Sequence, residues 1–430
     1  MRKAKGSMLK CGVLVLTAVA FIMTLTSAAS RAQVDSCVQC HTELSDKPSQ
    51  LIANDIHTQR GLSCADCHGG DPTLGTDGNM HAAMDPAKGF IGKPKPADVG
   101  KFCAKCHADL NYMRRFNPQA RTDQWSEYQT SVHGQLNRKG DTKVATCVSC
   151  HSVHDIKAVN DPTSPVYATN VANTCAHCHA DRAYMSQYKI RTDQFDLYQR
   201  SVHGQALMAQ QDLAAPSCND CHGNHGATPP GVSSVANVCG QCHVRQAELF
   251  DASPHQAPFA EMKQAACVTC HNNHDIVRPT DAMLGTSENS TCIMCHAEGD
   301  KGYVVASQLA QRLDQLRQQI ETAQAILARA ERAGMEVSRP KFELNAARDS
   351  LTHARVLIHN VTSPEIDKTI EAGMNIAINA TQAGYAALNE LQFRRKGLAV
   401  SLGVILFVCA MLYLKIRQLD QSEAINNPPS

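Results

Sequence analysis

The pentapeptide Cys-x-x-Cys-His occurs nine times in this chain of 430 residues. The copies are Cys37/Cys40/His41, Cys64/Cys67/His68, Cys103/Cys106/His107, Cys147/Cys150/His151, Cys175/Cys178/His179, Cys218/Cys221/His222, Cys239/Cys242/His243, Cys267/Cys270/His271 and Cys292/Cys295/His296. They hold eighteen of the twenty cysteines; Cys11 and Cys409 lie in apolar runs at the two ends. A disulfide framework or zinc sites would use the cysteine pairs, but neither accounts for a His directly after every pair. The pattern is that of covalent c-type haem attachment, in which two thiols form thioethers to the porphyrin edge and the adjacent His reaches the iron. Nine covalently attached haem c groups are expected.

Between Gln33 and Asp300 the chain offers only about 30 residues for each motif, too few to enclose a large apolar core of its own. Aromatic residues are 5% of the sequence, and this region is rich in Gly, Pro, Asn and Asp. The porphyrins are therefore expected to form most of the core. The formal net charge of +1 leaves out two propionates for each haem, so the loaded protein should be acidic. No run of Lys and Arg, and no aromatic-interleaved basic surface, points to nucleic acid.

The two ends set the compartment. Residues 1–32 read as a signal peptide: Arg2, Lys3, Lys5 and Lys10 precede the apolar run Cys11–Leu25, and a small-residue stretch ends at Ala32. Residues 33–300 form the expected nonahaem domain, exported to the periplasm, where thioethers are made. Gly397–Leu414 is eighteen residues without a charge, flanked by Arg394, Arg395 and Lys396 before and by Lys415 and Arg417 after. That length approaches what a membrane-spanning helix needs. The expected placement is single-pass in the inner (cytoplasmic) membrane, with residues 415–430 as a cytoplasmic tail.

Within the haem region the motifs alternate with lone histidines in a repeated order. Motif three is followed by Tyr128-Gln-Thr-Ser-Val-His133-Gly, then motif four, then His154. Motif five is followed by Tyr198-Gln-Arg-Ser-Val-His203-Gly, then motif six, then His225. Arg121-Thr-Asp-Gln recurs as Arg191-Thr-Asp-Gln. A third unit has motif seven, Phe250-Asp-Ala-Ser-Pro-His255, motif eight and His274. The first unit is looser, with motif one, His57 and motif two, and with His81 as the nearest substitute for the last His.

Each unit thus carries two haems and two further histidines, and imidazole is a common second axial ligand. His57, His81, His133, His154, His203, His225, His255 and His274 are the expected distal ligands. His154, His225 and His274 follow their own proximal His too closely to bend back to the same iron, so each should serve a neighbouring haem. Two axial imidazoles leave a haem able to pass electrons but closed to substrate, and generally at lower potential than His/Met ligation. The ninth motif has no such sequel. Its distal position is left to His177, His353, His359, a Met or an open site.

Beyond Asp300 the composition shifts to Gln, Ala, Leu and Arg. Leu309, Leu313, Leu316, Ile320, Ala323, Leu327 and Ala330 form one helical stripe, and Gly334 is a natural stop. A second stripe runs through Leu344, Ala347, Leu351, Ala354, Ile358 and Val361. Ser363-Pro364 reads as N-cap and first helical residue. The third stripe is Ile366, Ile370, Gly373, Ala377, Ala380, Gly384, Ala387 and Leu391, running straight into the span. Residues 301–396 are expected to form an antiparallel three-helix bundle or stalk that also allows oligomerisation. His353 and His359 are six residues apart and so lie on different faces of the second helix. The fold class is mostly α with extensive loop: a haem-packed domain, a C-terminal helical bundle and one transmembrane helix.

The nine motifs and the Ser-x-His-Gly and Cys-His-x-x-His patterns over residues 37–296 resemble those of the multihaem c-type cytochromes. Paired haems and a long helical tail are similar to the nitrite reductase and hydroxylamine oxidoreductase superfamily. The membrane tether looks like that of cytochromes exchanging electrons with the quinone pool through a membrane partner. The Cys-x-x-Cys-Lys motif of the pentahaem nitrite reductases is absent here, which counts against that activity. The resemblance implies an electron carrier between a quinol-linked membrane partner and a periplasmic or outer-membrane acceptor, as in anaerobic respiration. The alternative is a reductase or oxidase of a small nitrogen or sulfur compound such as nitrite, hydroxylamine or tetrathionate. That alternative needs one five-coordinate haem, at the ninth motif or at the haem served by His81.

Overall fold

Most of the motifs fold on the last turn of a short helix, so that the proximal His closes it. The computed structural model describes residues 35–75, 79–229 and 231–426. The expected signal peptide at 1–32 and residues 427–430 of the expected tail lie outside the described residues. The chain is 65% helical, and no strand occurs among the described residues. The helices used below are α1 (Ser36–Glu43), α2 (Val99–His107), α3 (Gln124–Thr130), α4 (Val132–Arg138), α5 (Ala168–His179), α6 (Lys301–Arg332), α7 (Ser338–Leu357) and α8 (Pro364–Asn426).

Local chemistry explains the motif helices. Ser63, Thr146 and Ser217 stand directly before the first Cys of motifs two, four and six. Each forms a capping box with the residue three positions on, Asp66, Ser149 and Asp220 respectively. Two otherwise orphaned amides are satisfied each time, enough to start a helix of five residues.

The chain divides into two compact units, residues 1–195 with 206–230 and residues 196–205 with 231–430. In the first, the described buried apolar side chains are Ala83, Val144, Ala172, Met185 and Leu207. So small a set matches the expectation of little apolar core from the polypeptide itself.

The second unit contains the helical tail. α6, α7 and α8 have 32, 20 and 63 residues. All seven residues expected on the first stripe, Leu309 to Ala330, are buried. The second stripe departs at its end. α7 stops at Leu357, which is fully buried, whereas Ile358 and Val361 lie beyond the helix and are only partly covered. The turn that must deliver Pro364 as the first residue of α8 takes over there.

Cross-helix contacts fix the directions. Lys341 pairs with Glu331 at 2.8 Å and Arg348 reaches Gln324 at 2.9 Å, so α7 runs antiparallel to α6. Arg312 pairs with Asp367 and Gln319 bonds Thr381 at 3.0 Å, so α8 runs parallel to α6. The bundle is up-down-up. α8 then continues without a break through the expected span 397–414, where its apolar side chains are exposed. None of that window is buried, which sets it apart from the core helix of a soluble protein.

Candidate functional site

The recurring Tyr-x-x-Ser-x-His-Gly segment is a compact device for presenting an imidazole. Ser131 is the N-cap of α4: its Oγ accepts from Gly134 N at 3.0 Å and donates to Tyr128 O at 2.6 Å. Ser201 repeats this with Gly204 N at 3.0 Å and Tyr198 O at 2.7 Å. The close fold-back leaves no room for a Cβ at Gly134 or Gly204, which would run into the carbonyls of Tyr128 and Tyr198. In the first repeat Asp55 takes the place of the Ser, two residues before His57, and accepts from His57 N at 2.9 Å.

The Cys-His-x-x-His segments, and motif two, which lacks the second His, use a different device. The residues directly after His68, His151, His222 and His271 are Gly69, Ser152, Gly223 and Asn272, with φ of 70, 70, 78 and 61°. With ψ near ±160–175° they lie in a region that is almost the preserve of glycine. Ser152 and Asn272 therefore carry strain of about 1–3 kcal/mol each. The reversal turns the chain away from the proximal imidazole, so His154 and His225 face another repeat.

Where they face is the central finding. His68 meets His154 with ring centroids 6.1 Å apart, His107 meets His57 at 5.9 Å, and His151 meets His225 at 6.2 Å. His179 meets His133 at 6.0 Å and His243 meets His203 at 6.3 Å. His296 meets His255 at 6.1 Å and His271 meets His359 at 6.2 Å. Unconstrained ring pairs scatter over about 4.5–7 Å. A metal–imidazole bond of ~2.0 Å, plus ~1 Å from nitrogen to ring centre, puts two axial rings ~6 Å apart across one iron. All seven pairs have that spacing.

The direction of exchange is regular. The His of the Ser-x-His segment goes forward to the next odd-numbered motif: His57 to motif three, His133 to five, His203 to seven, His255 to nine. The His of the Cys-His-x-x-His segment goes back, His154 to motif two and His225 to motif four. A main-chain clasp joins the two devices. Ile56 N donates to Ile156 O at 2.7 Å, while Ile156 N donates to Asp55 Oδ2 at 2.8 Å. Val202 N donates to Ile276 O at 2.8 Å in the equivalent place.

Several of these imidazoles are oriented through Nδ1, which leaves Nε2 free for a metal. His57 Nδ1 bonds Asp55 Oδ1 at 2.9 Å, His68 Nδ1 bonds Ile91 O at 3.1 Å, and His359 Nδ1 bonds Val356 O at 2.8 Å. His296 Nδ1 lies 3.2 Å from Asp300 Oδ1, and His41 Nδ1 contacts Asp46. Burial, and after it the neighbouring imidazole charge, lowers the pKa of His107, His133, His151, His179 and His271. Neutral imidazole is the ligating form. The His133 ring is crowded by protein yet reachable by water, as befits a group lining a slot.

The cysteines are ordered as the motifs are. Within a repeat the first cysteines meet: Cys103 hydrogen-bonds Cys147, Cys175 bonds Cys218, and Cys239 bonds Cys267. Cys37 and Cys64 are electrostatic neighbours in the same sense. From one repeat to the next the second cysteines are neighbours: Cys67 with Cys106, Cys150 with Cys178, and Cys270 with Cys295, beside which the first cysteine Cys292 also lies near Cys270. Within each compact unit, attachment points that follow one another in sequence follow one another in space.

The nine motifs are not, however, the equivalent sites that their common spacing suggests. Cys40 and Cys221 are half-buried, like the first cysteines of their motifs, Cys37 and Cys218, whereas Cys242, Cys270 and Cys295 are exposed. In motifs one to six a single helix contains both cysteines, as α1 contains Cys40 and the helix Cys218–His222 contains Cys221. The last three motifs have helical turns that contain only one. Val235–Gln241 stops before Cys242, Val268–His271 starts after Cys267, and Cys292–Met294 stops before Cys295. Cys242 and Cys295 therefore stand as C-caps at the edge of their turns, open to solvent.

From sequence, the distal position of the ninth motif is open to His177, His353, His359, a Met or no ligand. The structure gives His296 the imidazole of His255, and His271 that of His359. The spacing from Ser253 to His255 already matched the other forward donors; matching the eight lone histidines to the eight haems of the four units hid it. His177 and His353 are exposed. His225 and His274 are held alike, their amides bonded to Asn224 Oδ1 and Asn273 Oδ1 at 2.8 Å. His81 is exposed on a short helix, Met80–Met84, that packs against α1.

Imidazole pairs at the separation an iron requires, beside paired thiols and on a strand-free helical chain, define the class. The chain is a multihaem c-type cytochrome with haem c as its cofactor, and its function is electron transfer. Residues 56–180 match the family described as Cytochrome c3, residues 256–301 the Doubled CXXCH motif, and residues 18–69 Cytochrome c554 and c-prime. The Nine-heme cytochrome c of Desulfovibrio desulfuricans is 23% identical over 299 residues, covering 63% of this chain and 77% of that protein. No solved structure matches the chain.

Proposed function

We propose that this chain is a nine-haem conduit held at the outer face of the inner membrane by α8. On this reading it moves electrons between a quinol-linked membrane partner and a periplasmic or outer-membrane acceptor. The motif cysteines are the thioether sites, and the motif histidines with His57, His133, His154, His203, His225, His255 and His274 are axial ligands. Haem c supplies one-electron Fe(III)/Fe(II) chemistry. The carrying observation is the exchange of imidazoles between neighbouring repeats at a common ~6 Å spacing, which closes both axial faces and leaves only outer-sphere transfer. The sequential meeting of cysteines supports a conduit, since porphyrin edges attached there would be adjacent. The uninterrupted apolar surface of α8 beyond the bundle supports the anchor.

A count of high-spin and low-spin iron by EPR and optical spectroscopy, with a mass measurement of haem additions, tests the reading. Nine additions with low-spin iron at all the paired sites are expected. High-spin iron at several of those sites would overturn it. Truncation before Gly397 should move the protein from the membrane to the soluble fraction.

The reductase alternative keeps one foothold. His41 bonds Asp46, and among the described residues no imidazole is paired with it at the ~6 Å spacing of the other sites, so motif one, rather than motif nine, is where substrate chemistry would be sought.

A further inference from the structure

The backward exchange has an arithmetical end. Motifs two and four take their second imidazole from the Cys-His-x-x-His of the next even-numbered motif; by the same rule motif eight would look to a tenth motif, and the sequence holds nine. Motif eight should therefore have no partner, yet His271 has one. The ring of His359 lies 6.2 Å from it, with the two planes only 22° apart. His359 stands two residues past the end of α7, in the turn that leads to α8.

We propose that His359 is the distal axial ligand of the haem at motif eight, so that the helical bundle is itself a haem-binding element and not only a stalk. This rests on the haem-binding reading above. Three contacts hold the imidazole in place. Its Nδ1 bonds Val356 O at 2.8 Å, which leaves Nε2 as the nitrogen free for a metal. Four residues before it, Arg355 grips Asp281 with both arms, Nε to Oδ1 at 2.8 Å and a terminal nitrogen to Oδ2 at 2.6 Å. One residue after it, Asn360 donates to Ala252 O at 3.2 Å. Both anchors reach into the segment carrying motifs seven to nine, and Leu249 of that segment joins the bundle's own apolar cluster. His353, on another face of α7, is exposed and takes no part.

Three substitutions in the haem-loaded full-length protein test this. His359→Ala should convert one haem equivalent from low spin to high spin, and added imidazole should restore it. His359→Met should keep that iron low-spin while raising the potential of one haem in a redox titration, because thioether ligation raises potential. His353→Ala should alter neither. An unchanged low-spin count in His359→Ala, together with an unchanged titration in His359→Met, would overturn the proposal. Failure of the wild-type protein to show paired low-spin haems would instead overturn the reading on which it rests.

Discussion

The imidazole of His57 stands edge-on to that of His107, fifty residues further along the chain, with the planes 88° apart. At motif four, by contrast, His151 and His225 are almost parallel, at 4°. Perpendicular axial imidazoles leave two iron d orbitals nearly degenerate, whereas parallel ones split them. The haem of motif three should give a strongly anisotropic low-spin EPR signal and that of motif four a rhombic one. His57→Ala should abolish the first signal, produce one high-spin equivalent and leave the second untouched.

Asp55 is almost fully buried and serves three donors. Burial opposes its ionisation, but the bonds from His57 Nδ1 and from the amides of Ile156 and His57 outweigh this and hold the carboxyl below its usual range. A carboxylate on Nδ1 makes the imidazole a stronger donor to iron. Asp55→Asn should raise the potential of one haem by the equivalent of about 1 kcal/mol, the difference between a charged and a neutral hydrogen bond. Spectroelectrochemical titration reads this directly.

Gly134 and Gly204 sit where a methyl group would strike the carbonyl six residues back. Gly134→Ala should cost about 1–3 kcal/mol by overpacking and displace His133. The measurable result is loss of one low-spin equivalent at motif five. Ser131→Ala, which removes only the cap, should be milder, at about 1 kcal/mol.

Gly302, in the first turn of α6, lies against the face of the His296 ring. Gly302→Ala should push that ring away and perturb the haem of motif nine alone, seen as a change in one low-spin signal. Gly299→Ala, three residues earlier and with open space around its Cβ position, should leave that signal unchanged, at the expense of an unfavourable φ of 92°.

Leu316 is fully buried where the three helices of the bundle meet. Leu316→Ala should destabilise the bundle by about 2–5 kcal/mol, read as a lower melting temperature by circular dichroism. If His359 is a ligand, the same variant should also loosen the motif-eight haem.

Much of this was legible in the sequence because it is local. Motif positions, the Ser-x-His-Gly device and the first bundle stripe each depend on residues within a few positions of one another, and each is found as expected. The destination of each distal histidine was not legible. It depends on pairings such as that of Ile56 with Ile156, and nothing in the composition of either segment encodes the other. His359 is the extreme case. Its spacing from His353 showed that the two face differently, but only the Arg355–Asp281 contact reveals which one turns inward.

The clasp between Ile56 and Ile156 bears on how such a chain can grow. A repeat that hands one imidazole forward and one back is incomplete alone but indifferent to how many neighbours it has. Duplication of an interior repeat would lengthen the array without stranding a ligand. Only the termini need bespoke solutions, and at the C-terminal one a residue from an unrelated helical segment has been recruited as the capping piece. In this architecture reach is a matter of copy number, while the ends carry the individuality of the molecule.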